Sequence, residues 1–221
     1  MIWDSVQTAA KQRHVLVFAM DQSQTAVMTQ PGPWGNAYSG FCAGLAMHWI
    51  ALRYAKRDFA YDKKTRELTA PDWRTTRNQN QYWNGGDYDK VRLALPLANY
   101  GLFVNMGLVG RVERVMTGWD LREVGTAADG CYYISLKSAG EGHAIAMQRS
   151  TGHDWRLFDA NYGEFKLRGR NEFEAFVDWY MAATGYKDNF TAATQIIGIN
   201  PPPYINANAL NASTQGVGAP E

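Results

Sequence analysis

Ser39-Gly40-Phe41-Cys42-Ala43-Gly44-Leu45-Ala46-Met47-His48-Trp49-Ile50 is the stretch on which the reading of this chain turns. Upstream of it, residues 29–40 are dense in proline and glycine and read as a loop. Downstream, Leu45, Trp49 and Leu52 recur at helical spacing with Ile50 beside them, and Arg53, Lys56 and Arg57 gather where a helix ends. Basic residues there complement the negative pole of a helix. The pattern predicts a largely buried helix that begins at or just before Cys42 and runs to about Arg57. Cys42 therefore stands at a loop-to-helix junction. Unpaired backbone N–H groups and a positive pole stabilise a thiolate there, lowering a thiol from about 8.5 by one to several units. Gly40, Ala43 and Gly44 are small enough to let a substrate backbone approach. The competing reading is a small buried hydrophobe, the commoner fate of a free cysteine.

A thiolate nucleophile needs a base, normally histidine, and a group that orients the base. His143 lies in Gly142-His143-Ala144-Ile145-Ala146-Met147, at the start of an expected strand. Asp159 closes the next one, Leu157-Phe158-Asp159. Paired as a hairpin, the two strands bring His143 and Asp159 to one end of a sheet. Taken singly, a core histidine and a turn carboxylate are the more ordinary readings. The other histidines fit less well. His48 is about 600° around the helix from Cys42, His14 sits among Lys11 and Arg13, and His153 lies in a turn at the opposite end from His143. Cys131 opens an apolar strand and reads as core.

The remaining composition narrows the classes. In 221 residues the formal charge is +1, which gives no electrostatic reason for a nucleic acid or an anionic membrane as main partner. No apolar run approaches the ~20 residues of a spanning helix, so a soluble protein without a membrane segment is expected. The N-terminus lacks the pattern of a cleaved signal peptide. Two cysteines exclude a disulfide scaffold. Neither zinc-ligand spacing nor a glycine-rich phosphate or dinucleotide loop is present, so no metal and no cofactor is expected.

Residues 60–90 are polar and read as a surface excursion, and 91–109, broken by Pro96 and Gly101, as two short helices. Residues 131–136, 143–148 and 155–158 read as an antiparallel meander. Asn171 with Glu174 resembles a capping box opening a helix to about Thr184, and 194–199 is a last strand. The apolar run 14–20 is a strand or a helix end. The sum is an α+β fold, a helical first half followed by a β-rich second half, in one domain over 1–200 with a disordered tail at 201–221.

Gly-Phe-Cys-Ala-Gly-Leu-Ala-Met-His-Trp-Ile, then Gly-His-Ala, then Phe-Asp-Ala-Asn-Tyr-Gly-Glu-Phe resemble, in that order, the YopT-type cysteine proteases, papain-like enzymes among bacterial effectors. The resemblance covers about 25 residues and departs from the family pattern at Ala46 and Ala160, where serine and proline are expected. It implies a papain-like fold with Cys42 as nucleophile, His143 as general base and acid, and Asp159 as orienter. Asn161, Gly163, Glu164 and Phe165 match the family's turn and following strand, a structural role. Asn36, six residues before the cysteine, matches the region of the oxyanion-stabilising amide. The resemblance further implies a protein or peptide substrate in a host or target cell. It also implies secretion by a specialised bacterial system without a cleaved signal, and a secretion chaperone or cognate inhibitor as partner. The same triad on a glutamine side chain gives a deamidase or transglutaminase, on a cell-wall peptide an amidase, and without activity a binding module. Trp34, Tyr38 and the polar stretch 74–88 are candidates to line the cleft.

Overall fold

A computed structural model describes residues 2–24, 40–57, 59, 73–84, 89–126, 129–139, 141–150 and 154–201. Asn36, Trp34, Tyr38, His153 and the tail expected beyond Pro201 lie outside them.

The cysteine helix, α2 (Cys42–Tyr54), buries Ala43, Gly44, Leu45, Ala46, Met47, Trp49, Ile50, Ala51 and Leu52. A helix apolar nearly all round must be covered nearly all round. One side of α2 rests on a seven-stranded antiparallel sheet, and another is covered by α3 (Trp73–Asn84), which packs on α4 (Asp89–Ala98). The sheet order is β1 (Leu16–Ala19), β6 (Gly163–Leu167), β5 (Trp155–Asp159), β4 (Gly142–Arg149), β3 (Gly130–Lys137), β7 (Ala193–Asn200), β2 (Phe103–Val112). Side chains alternate across it, as the period of two requires. Cys131, Tyr133, Ala144, Ala146 and Phe158 face α2, whereas Tyr132, Ile134, Ile145, Met147 and Leu157 face the opposite core. That second core is closed by α1 (Ile2–Gln12), α5 (Gly118–Thr126), α6 (Arg170–Ala183) and the short α7 (Tyr186–Asn189). Among the described residues no helix is long and apolar enough to cross a membrane.

Three expectations need correction. Residues 73–84 are not a surface excursion but a helix with Thr75, Asn78 and Gln79 buried. The second of the two helices expected over 91–109 is the edge strand β2, whose pairing with β7 is interrupted between Val104 and Val109. Pro96 lies inside α4 rather than breaking it. The capping box is absent. Gly169 at φ 127° is the N-cap of α6, with no side-chain hydrogen bond to the helix, and Glu172 instead accepts from the Arg168 N–H.

Candidate active site

Antiparallel pairing of β4 with β5 sets Asp159 opposite Ile145, so His143, two residues earlier on the same face, is its diagonal neighbour. His143 Nε2 donates to Asp159 Oδ1 at 2.9 Å. This leaves Nδ1 for Cys42, whose sulfur bonds the imidazole and also accepts from the Ala144 backbone N–H. The structure thus brings Cys42, His143 and Asp159 into one line, from the head of a helix through a strand start to a strand end.

Asp159 is fully buried and accepts from every side. The Asn161 N–H donates to Oδ1 at 2.7 Å, the Tyr180 hydroxyl to Oδ2 at 2.8 Å, and Tyr186 also bonds the carboxylate. Tyr186 Oη lies 3.1 Å from His143 Nε2 and accepts from Asn161 Nδ2 at 2.8 Å. Burial first, and then the Asp159 charge, push both phenols well above their ordinary range, so they remain neutral donors. These tyrosines, on α6 and α7, carried no signal of this role in the sequence.

The pair Cys42 and His143 is displaced toward charge separation. Burial alone favours neutral groups, lowering the imidazole and raising the thiol. Asp159 and the Cys42 thiolate outweigh it for His143, raising it to about 10. For Cys42 the imidazolium and the Ala144 N–H outweigh burial and the more distant Asp159 charge, so the thiol falls below its ordinary 9.0. Cys131, sealed in the core, goes the other way, to about 12. His48 stands apart, with Nδ1 at 3.3 Å from the Tyr100 hydroxyl, and His14 is exposed at a left-handed φ of 56° where α1 ends.

Two glutamines complete the head of α2, whose N-cap, Phe41, has no side chain able to cap it. Gln22 Oε1 accepts from the Phe41 N–H at 2.8 Å, and its amide nitrogen donates to Asn161 Oδ1, tying the Cys42 helix to the turn that holds Asp159. Gln79 Oε1 accepts from the Gly44 N–H at 2.8 Å. From β6, Glu164 accepts the Trp49 indole N–H at 2.8 Å and pairs with Arg156, clamping the middle of α2 to the sheet. Asn161 therefore does more than shape a turn, because both its backbone and its side chain touch partners of the imidazole. Gly163, at φ 121°, is obligatory: a Cβ there would lie 2.0 Å from the Phe18 carbonyl oxygen of β1.

A cleft of about 580 Å³ opens over the thiol, lined by Gly40, Cys42, Ala43 and His143 on one side and by Gln79, Tyr82, Tyr133 and Ser135 farther along. Gly40 and Ala43 border this space as expected. Gly44 does not: its missing side chain is filled by α3, not left for substrate. No group of three or more His, Cys, Asp or Glu side chains among the described residues could hold a metal ion.

The peptidase C58 family model, described as Yersinia/Haemophilus virulence surface antigen, matches residues 120–195, a span containing His143 and Asp159. The resemblance to the YopT-type proteases is borne out by that match. The fold is similar to the crystal structure of the Pseudomonas avirulence protein AvrPphB, with a TM-score of 0.62 at 16% identity, over 85% of this chain and 98% of that one. The α+β papain-like architecture is thereby established. A looser likeness, with a TM-score of 0.43 at 12% identity over 90% of this chain and 94% of the other, is to the ubiquitin-specific protease encoded by murine cytomegalovirus tegument protein M48, solved with a ubiquitin-based suicide substrate. No curated protein matches the chain.

Proposed function

We infer that this chain is a cysteine endopeptidase of the YopT type, its catalytic domain spanning residues 1–200, with Cys42 as nucleophile, His143 as general acid and base and Asp159 as orienter. The observation that carries the reading is a buried imidazole held by a carboxylate on Nε2 and facing a thiol with its other nitrogen.

The Cys42 thiolate attacks the scissile carbonyl carbon. The C–S bond forms, and the carbonyl π electrons move to oxygen, where the Cys42 backbone N–H at the head of α2 can receive the charge. The His143 imidazolium gives its Nδ1 proton to the leaving amine as the C–N bond breaks. Neutral His143 then takes a proton from water, which attacks the thioester and releases the acid product and the thiolate. Asp159 keeps the proton on Nε2, so Nδ1 is the nitrogen that exchanges it. Asn36 is the second oxyanion donor that the family pattern implies.

The substrate is a protein of a host or target cell, reached after secretion through a specialised bacterial system, with a secretion chaperone or a cognate inhibitor as further partner. The virulence-antigen description of the family supports action on a host. Expressing wild type and Cys42→Ala in host cells and comparing new protein N-termini tests the function. N-termini that require Cys42 are expected. Glutamine-to-glutamate conversion without cleavage would instead make it a deamidase, and no Cys42-dependent change at all would refute the enzyme reading.

A further inference from the structure

Gly44 lies in the first turn of α2 so close to α3 that a Cβ there would come within 2.4 Å of the Thr75 carbonyl oxygen and 3.3 Å of Gln79 Cβ. This approach brings Gln79 to the N-terminal end of α2, where the first backbone N–H groups have no partner inside the helix. Gln79 Oε1 accepts the Gly44 N–H at 2.8 Å. A backbone N–H can only donate, so the amide has one orientation, oxygen toward the helix and NH2 away from it. Among the described residues that NH2 group has no hydrogen-bond partner, although Gln79 is only 4% exposed. Its neighbours Thr75 Oγ1 and Asn78 Nδ2 are sealed from solvent without partners, but Gln79 Nε2 is not among the sealed atoms, and Gln79 lines the cleft beside Cys42 and Ala43. The result is a nearly buried donor without a partner, on a residue that lines the cleft beside Cys42. A buried donor without a partner costs about 1–3 kcal/mol, a cost that a bound acceptor removes.

We propose that Gln79 Nε2 is a catalytic hydrogen-bond donor to the scissile carbonyl oxygen, acting with the Cys42 backbone N–H. The proposal rests on the cysteine-peptidase reading above. As the C–S bond forms and the π electrons reach oxygen, these two N–H groups join the Asn36 amide that the family pattern implies in stabilising that oxygen, and none of them transfers a proton. When the intermediate collapses, the electrons return to the carbonyl and the amine departs with the proton from His143. The polar stretch that the sequence offers only as a possible cleft wall thereby supplies part of the chemistry.

The test separates oxyanion stabilisation from helix capping. Gln79→Glu keeps an acceptor for the Gly44 N–H and removes the donor, and Gln79→Met removes both without adding charge. Two reactions of Cys42 are compared, acylation by p-nitrophenyl acetate and alkylation by iodoacetamide at the plateau of its pH profile. Alkylation displaces iodide and develops no oxyanion. Both variants are expected to lose about 10²–10³-fold in the acylation rate, with Gln79→Glu alkylated within about threefold of wild type. Unchanged acylation in Gln79→Glu overturns the proposal, as does an equal fall in both reactions, which marks a structural role only. A wild type showing no Cys42-dependent acylation removes the peptidase reading and this proposal with it.

Discussion

Replacing Tyr180 by phenylalanine isolates what the buried carboxylate needs for folding from what it needs for chemistry. Tyr180 donates to Asp159 Oδ2 at 2.8 Å, whereas His143 holds Oδ1. The ring is fixed independently of its hydroxyl, stacked on Phe176 at 5.6 Å between centroids and edge-on to Phe165 at 5.3 Å, so phenylalanine leaves no cavity. The loss is then one hydrogen bond to a charged, fully buried acceptor, about 1.5–3 kcal/mol. For a domain of this size each kcal/mol moves Tm by about 2–4 °C, so thermal unfolding followed by circular dichroism is expected to fall by roughly 3–12 °C. Because the imidazole keeps its own oxygen, kcat/KM should stay within about tenfold, equivalent to 1.4 kcal/mol. In an Asp159→Asn background the cost of Tyr180→Phe should shrink to that of a neutral bond, about 0.5–1.5 kcal/mol. An unchanged Tm in the wild-type background, or activity falling a hundredfold at unchanged Tm, would refute the division of labour between the two carboxylate oxygens.

Gly44→Ala places a methyl 2.4 Å from the Thr75 carbonyl. It is expected to cost about 1–3 kcal/mol by overpacking, read as a lower urea midpoint at unchanged slope; no loss would mean that α3 does not pack as described. Stability should also depend on pH through the ion pair. His143 is raised to about 10 from 6.5, so its contribution is complete below about 6.5 and lost as pH climbs through about 10. Cys42 is lowered from 9.0, so its contribution is present above that value and lost as pH falls through the lower folded one. Between 6.5 and 9.0 the two changes oppose each other, so the stability gap between wild type and His143→Gln, from urea midpoints, is expected to stay level there and to narrow only as pH climbs from 9.0 to about 10; a gap that widened above 9.0 would contradict the sign.

The parts of the fold that were legible in the sequence are those with local signals. Leu45, Trp49 and Leu52 announce α2, and the short apolar runs around Ile134, Ile145 and Leu157 announce a meander that places His143 beside Asp159. The helix α3 was hidden because its buried side chains include Thr75, Asn78 and Gln79, which give no apolar stripe to read. The strand β2 reads as helix in the sequence because an edge strand with both faces partly exposed, and a register shift between Val104 and Val109, shows no alternation. Gln22 meets Asn161 across 139 residues, a contact with no trace in spacing or composition. Tyr180 and Tyr186 could be read as apolar packing, but nothing local says where a hydroxyl points. The chemistry-bearing residues were therefore recognisable one at a time, while the network that holds them is a product of tertiary structure.

The reading stands or falls on the charge state of Cys42, and the pH profile of its iodoacetamide alkylation, resolved by mass spectrometry from Cys131, measures that state. The account predicts a midpoint well below the about 8.5 of a free thiol, with Cys131 unlabelled, and a return to about 8.5 or above in His143→Ala. A wild-type midpoint at or above the free-thiol value, indifferent to His143→Ala, would contradict it.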